Sequence, residues 1–246
     1  MNLYGLIGNP LEHSFSKKYF TDKFEREGRG DCRFELYPLP SIGELPALIK
    51  DNKDIKGLAV TIPYKEPVID FLDDIDDKAK QIGAVNCIKI SKNKLTGYNS
   101  DVIGFERSLR PLLLPHHTKA LVLGSGGSSK AVQYVLRGMQ KPFLVVTRNK
   151  KQEAGFTGYD SIDEHIINEY PIIINCTPVG MFPKDSECPL IPYALLSKKN
   201  LLYDLVYKPA ETKFLALGKQ QGAVVKNGFD MLLIQAEENW RIWNAV

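Results

Sequence analysis

Solid aliphatic blocks recur along this chain, and stretches with helical spacing separate them. In ALVLG (120–124), FLVVT (143–147) and IIIN (172–175), no polar residue alternates with the apolar ones. A strand with one wet face alternates, so blocks of this kind suit strands covered by helices on both faces. Further candidate strands are LYGLIG (3–8), RFELYPL (33–39), GLAVTI (57–62), CIKI (87–90), LLYDLV (201–206) and AVVKNG (223–228). Helical patterns such as SKKYFTDKFEREG (16–28) and SSKAVQYVLRGM (128–139) fall between them. The alternation predicts an α/β protein built on parallel sheets.

A length of 246 residues allows one large domain or two modest ones. A boundary is expected near residue 101. There DVIGFERSLRPLL (101–113) opens on an Asp suited to an N-cap, and PLLLPHHT closes the helix with two prolines. KALVLGSGGSSKAVQYVL then reads as a fresh βαβ unit. The last amphipathic segment, GFDMLLIQAEENWRIW (228–243), carries both tryptophans and suits a helix that returns to the first domain. The expected division is therefore 1–101, completed by 228–246, and a Rossmann-like domain over 102–227.

Bulk properties exclude several function classes. A net charge of +3 with scattered Lys and Arg gives no basic stripe, which argues against nucleic acid as a partner. No apolar run approaches the roughly 18 residues a membrane span needs. The start, MNLYGLIGNPLEHS, has no basic region followed by a long apolar one, so no signal peptide is expected. Cys32, Cys87, Cys176 and Cys188 form no CxxC pair, which argues against zinc and disulfides and fits a reducing cytoplasm. His13, His116, His117 and His165 lack metal-ligand spacing.

In ALVLGSGGSSKA (120–131), Gly124, Gly126 and Gly127 stand directly after an apolar strand and before a helix. Glycines let backbone approach a pyrophosphate, and the helix start supplies N–H groups and a positive dipole end. The usual third glycine is Ser129, so the fingerprint is incomplete. About 20 residues on, where an acid would bind a ribose 2′-OH, the chain reads Thr147, Arg148, Asn149, Lys150, Lys151, with no acid until Glu153. Cations there attract a 2′-phosphate, so NADP(H) is expected over NAD(H).

Four polar stations mark strand ends in residues 1–101: Ser14 and Ser16, Thr61 and Lys65, Asn86, and Asn99 with Asp101. Strand C-terminal ends converge on the ligand crevice of an α/β fold. Taken singly, each has a structural explanation. Ser14, Ser16 and Asp101 suit helix caps, Asn86 and Asn99 suit turns, and Lys65 suits a solvated helix start.

Together with the glycine loop, the strings GNPLEHSFS, VTIPYKE, GAVN, GYNSDVIGF, LGSGGSSKA, INCTPVGM, YDLVYKPAETKFL and NGFDMLLIQA occur in order over nearly the whole chain. In these the chain resembles the shikimate dehydrogenase family. The resemblance implies NADPH-dependent, reversible reduction of 3-dehydroshikimate to shikimate, by a monomer or homodimer with small-molecule partners only. It implies Lys65 and Asp101 as the catalytic pair, and Ser14 and Ser16, with Tyr207, as holders of the substrate carboxylate. Thr61, Asn86 and Gln235 are implied at the ring hydroxyls. Gly124, Gly126, Gly127, Ser128, Thr147, Arg148 and Asn149 are implied at the phosphates. Thr177, Val179, Gly180 and Met181 are implied beside the nicotinamide, with Gly228 and Met231 completing the contacts. The chain departs from the family at several places, chiefly Ala59, where the family reads Asn.

Turning a ketone into an alcohol needs a hydride and a proton. A lysine ammonium suits the proton, since it can donate to a developing alkoxide. A quinate-using relative remains an alternative, as does a non-catalytic NADP-binding relative; the latter has no need of both Lys65 and Asp101.

Overall fold

The computed structural model describes residues 1–11, 14–148 and 154–245. Packing divides the chain into two compact units, Met1–Ser100 with Ala236–Val246, and Asp101–Gln235. Among the described residues, no helix is long and apolar enough to cross a membrane.

The first unit runs β1 (Asn2–Gly8), α1 (Phe15–Arg26), β2 (Cys32–Pro38), α2 (Leu45–Asp51), β3 (Ile55–Val60), β4 (Asp74–Ile75), α3 (Asp77–Ile82), β5 (Cys87–Ser91) and β6 (Lys94–Tyr98). Its sheet order is β2-β1-β3-β5-β6-β4. β1 pairs parallel with β2 and β3, but β5 is antiparallel to both β3 and β6. The expectation of parallel sheets is therefore corrected here: this sheet is mixed. One of the two reversals is a two-residue hairpin, in which Lys92 and Asn93 both adopt left-handed φ, +50° and +62°. That geometry turns β5 directly back into β6.

Pleating sends successive β3 side chains to opposite faces. Leu58 and Val60 join Ile7, Leu45, Ile55 and Ile88 on one side. Ala59 joins Tyr4, Phe20, Phe34, Ala236 and Trp243 on the other. Burying a side chain of this size contributes about 1.5–3 kcal/mol. Trp243 lies directly over Gly57, where a Cβ would come within 2.3 Å of the indole, and its Nε1 donates to the Ile88 carbonyl at 3.0 Å. On the same side, Lys23 is buried and its ammonium bridges Glu27 at 2.7 Å and Glu237 at 2.8 Å.

The second unit runs α4 (Asp101–Leu109), β7 (Ala120–Leu123), α5 (Gly127–Gly138), β8 (Phe143–Thr147), β9 (Phe156–Gly158), α6 (Glu164–Glu169), β10 (Ile172–Asn175), β11 (Leu201–Asp204), α7 (Lys213–Gln220) and β12 (Val224–Lys226). The last helix, α8 (Phe229–Asn244), begins in this unit and passes into the first. The sheet order is β12-β11-β10-β7-β8-β9, and every pair is parallel. Numbered from β7, this is the doubly wound order in which the connection reverses between the first and fourth strands. The residues of β7, β10 and β11 are all buried, as their aliphatic character requires.

Candidate active site

The polar stations of the first unit meet at one edge of its sheet. β1 ends at Gly8 and β3 at Val60, side by side and parallel. The Thr61 N–H donates to the Ile7 carbonyl at 2.9 Å, and the Asn9 N–H donates to that of Ile62 at 3.0 Å. Gly8 lets the Thr61 methyl lie against the β1 backbone, 2.4 Å from where a Cβ would stand. The chain then enters α1 at Ser14, whose N–H donates to the Leu11 carbonyl.

Ser14 is the helix cap that the sequence suggested, since its Oγ accepts from the Ser16 N–H at 3.2 Å. Capping uses an acceptor lone pair and leaves the Ser14 hydroxyl proton able to donate. Ser14, Ser16 and Thr61 are all half-buried. Asp101 differs from expectation: it is the first helical residue of α4 and not the residue before it, and it is only 4% exposed.

Lys65 follows Thr61 through a turn closed by the Tyr64 N–H on the Thr61 carbonyl at 2.9 Å. The Lys65 carbonyl accepts from Val85 at 2.7 Å, which ties this turn to the residue preceding Asn86. Lys65 is half-buried and so is not the freely solvated residue of the structural alternative. Asn86 stands just before β5, so in sequence it marks a strand start and not an end. Because β5 is antiparallel to β3, that start lies at the same sheet edge, and the Val60 N–H donates to the Asn86 carbonyl at 2.8 Å. The buried Asn86 side chain accepts from the Ser100 N–H at 2.7 Å and donates to Ser100 Oγ at 2.9 Å. Asp101 is the next residue. Asn99 does have a turn role, donating through Nδ2 to the Ala84 carbonyl at 2.9 Å. Ala59 is buried in the aromatic cluster, so this position packs as core.

In the second unit, the glycine loop leaves β7 at the point where the sheet reverses. Gly124 has φ +102°, and a Cβ there would come within 2.8 Å of the Thr177 methyl. Both the conformation and the close approach require glycine. α5 starts after Gly126 with no side-chain cap, and a helix start presents a set of backbone N–H donors. That donor set fits a pyrophosphate. Ser129, in place of the third glycine, is fully buried and accepts from Gln133 Nε2 at 3.1 Å; a small residue meets the packing need. Gly127 and Ser128 form the first turn of α5 and are half-buried.

Thr147 ends β8 and is buried, and Arg148 after it is exposed. Arg148 stands near Tyr159: burial pushes that phenol's pKa up, and the guanidinium pulls it back. Asn149 lies outside the described residues. On β10, which flanks β7 on the side away from β8, Asn175 leads into a turn where Thr177 and Val179 are half-buried, Gly180 is buried with φ +88°, and Met181 is exposed. Of the remaining expected residues, Tyr207 is half-buried beyond β11. Gly228 is buried ahead of α8 and donates to the Val206 carbonyl at 3.2 Å. Met231 is buried, and half-buried Gln235 donates to the Leu232 carbonyl at 3.0 Å.

Three polar residues, Asp204, Asn175 and Thr212, received no role from the sequence. Asp204, Asn175, Thr212 and Thr177 form a hydrogen-bonded chain beneath the 176–180 turn. The signal was present in YDLVYKPAETKFL and INCTPVGM, but nothing local joins residues so far apart. Among the described residues, no group of three or more His, Cys, Asp or Glu is placed to hold a metal ion.

Residues 6–88 match a family model described as the shikimate dehydrogenase substrate binding domain. A shikimate dehydrogenase (NADP(+)) of Clostridium beijerinckii is 39% identical over 255 residues, spanning 98% of this chain and 92% of that protein. A namesake from Aquifex aeolicus is 36% identical over 253 residues, spanning 99% of this chain and 91% of that protein. The solved structure of a shikimate 5-dehydrogenase from Thermus thermophilus, in complex with NADP(H) and shikimate, superposes with a TM-score of 0.87 at 30% identity. That match covers 100% of this chain and 94% of the other.

Proposed function

The chain belongs to the shikimate dehydrogenase family, and on that premise we propose that it catalyses the reversible, NADP-linked reduction of 3-dehydroshikimate to shikimate. The observation that carries this reading is the edge of the first sheet, where Thr61, Lys65 and Asn86 converge beside Ser14. The unit Met1–Ser100 with Ala236–Val246 serves as the substrate domain and Asp101–Gln235 as the cofactor domain, so the expected return of the chain at 228 is moved to 236. Ser14 and Ser16, with Tyr207, hold the substrate carboxylate, and Thr61, Asn86 and Gln235 orient the ring hydroxyls.

NADPH, when bound, supplies the hydride. Lys65 donates the proton to the oxygen on which negative charge develops, and in the reverse direction that site accepts it. Asp101 steadies the ammonium and offsets its desolvation. Gly124, Gly126, Gly127 and Ser128 cradle the pyrophosphate, while Thr147, Arg148 and Asn149 receive the ribose 2′-phosphate. Thr177, Val179, Gly180 and Met181 wall the nicotinamide half, and Gly228 and Met231 complete the contacts. The four free cysteines fit the cytoplasm as the working compartment.

Purified protein assayed with shikimate and quinate, each against NADP⁺ and NAD⁺, tests this reading. Shikimate with NADP⁺ is expected to give the highest kcat/KM. Equal use of quinate reassigns the substrate, and silence in all four reactions removes the enzymatic reading.

A further inference from the structure

Resting on the cofactor reading above, we propose that Asp204 is a positioning residue of the cofactor wall. Acting through Asn175, it sets the 176–180 turn against which the nicotinamide half of NADP(H) packs.

Asp204 ends β11 and is fully buried. Among the described residues none forms an ion pair with it, and its oxygens are met by neutral donors. Thr212 Oγ1 donates to Oδ2 at 2.6 Å, while Asn175 Nδ2 and the Val206 N–H each donate to Oδ1 at 3.0 Å. A buried carboxylate without a cation is a costly choice for packing alone. Its chemical property, once it is ionised above about pH 6, is that it only accepts.

That property fixes the direction of every bond beyond it. Asn175 must turn Nδ2 towards Asp204, which leaves its Oδ1 pointing into the turn. Oδ1 there accepts from both the Thr177 N–H at 3.1 Å and the Thr177 hydroxyl at 2.6 Å. Thr177 Oγ1 in turn accepts from the Val179 N–H at 3.3 Å, and Asn175 Nδ2 also reaches the Val179 carbonyl at 3.2 Å. The Thr177 methyl is the group that lies against Gly124 of the phosphate loop. One acceptor thus orders a turn that borders the glycine loop at the sheet's reversal. With a neutral amide at 204, Asn175 loses the charged member of the groups that hold its orientation, leaving only the Thr177 N–H and the Val179 carbonyl to order the turn.

The test compares full-length wild type with Asp204→Asn, which keeps the side-chain shape. NADPH and shikimate affinities are measured by fluorescence titration, and KM and kcat by steady-state assay. Loss of one charge-assisted hydrogen bond corresponds to about a tenfold change. The Kd and KM for the cofactor should rise by about that factor, with shikimate affinity and kcat at saturating cofactor nearly unchanged. Unchanged cofactor affinity overturns the proposal, and so does an equal loss for both ligands, which is the mark of general loosening. Should Asp204→Asn fail to fold, Asn175→Ala leaves the carboxylate and every residue assigned to the cofactor in place and removes the middle of the chain. It should weaken NADPH similarly, and an unaltered Kd overturns the proposal equally. Wild type that fails to bind NADPH rejects the cofactor reading itself; wild type that binds it, with both variants unchanged, rejects only the role of Asp204.

Discussion

The same substitution, Asp204→Asn, carries a stability prediction of opposite sign to its effect on cofactor. Desolvation pushes the Asp204 pKa from 3.8 up to about 6, although hydrogen bonds from Thr212, Val206 and Asn175 pull it down. Its folded-state pKa is therefore the higher one, and between these values the native protein binds more protons than the unfolded chain. Stability from this group is full below about pH 3.8 and is lost as pH rises through about 6. A shift of about two units corresponds to about 3 kcal/mol in all. Roughly half of it, about 1.4 kcal/mol, falls between pH 5 and pH 8. Asn has no proton to release, so subtracting the variant's urea-unfolding free energy from that of wild type isolates this one titration. The difference should move against wild type by about 1.4 kcal/mol from pH 5 to pH 8. A difference that stays flat, or moves in favour of wild type, refutes the assignment of a costly buried charge. A neutral amide that holds or gains stability at pH 8 while losing NADPH affinity separates positioning from scaffolding, because a scaffold residue loses both.

Three further substitutions test other parts of the molecule. Lys65→Ala should lower kcat by at least about 100-fold with a smaller change in KM, and near-normal kcat in stopped-flow and steady-state assays removes Lys65 from the chemistry. Arg148→Ala should raise the KM for NADPH about tenfold and spare NADH; an equal loss with both cofactors counts against the 2′-phosphate contact. Gly57→Ala places a methyl 2.3 Å from the Trp243 ring. That overlap should destabilise the fold by about 1–3 kcal/mol and shift tryptophan emission, and an unaltered urea midpoint contradicts the packing described.

Much of the fold was legible because its strands are solid aliphatic blocks. The stretches 143–147 and 172–175 are strands to the residue; 172–175 is buried throughout and 143–147 from Val145 onward. Legibility failed where the signal was not apolar density. β6 (KLTGY) has little aliphatic character, and its hairpin turns on Lys92–Asn93 in place of the more familiar Asn-Gly. That turn reverses β6 against β5, and the antiparallel pairing of β5 with β3 is a second departure from a parallel sheet. The stretch 57–62 was placed two residues late, because Thr61 and Ile62 continue the β-rich pattern after β3 has ended at Val60.

The candidate site divides along the same line. Gly124 and Arg148 could be read because backbone conformation and charge are local properties of the sequence. Asn86 was read for an incomplete reason. The rule that ligand residues follow strand ends assumes parallel strands, and Asn86 reaches the shared edge only because an antiparallel strand begins where its neighbours finish. The Asp204 chain could not be read at all. Asn175 and Asp204 are directly paired by the parallel register of β10 and β11, 29 residues apart in sequence. Their chemistry exists only once that register is set. In this fold the residues proposed to contact ligands sit at strand ends and leave a mark on the sequence, while the group proposed to orient them is created by strand pairing. Register, more than residue type, is therefore the property through which distant substitutions should reach the cofactor. A change within β10 or β11 that preserves apolarity but shifts their pairing must misalign Asn175 with Asp204 before it affects any residue of the site itself.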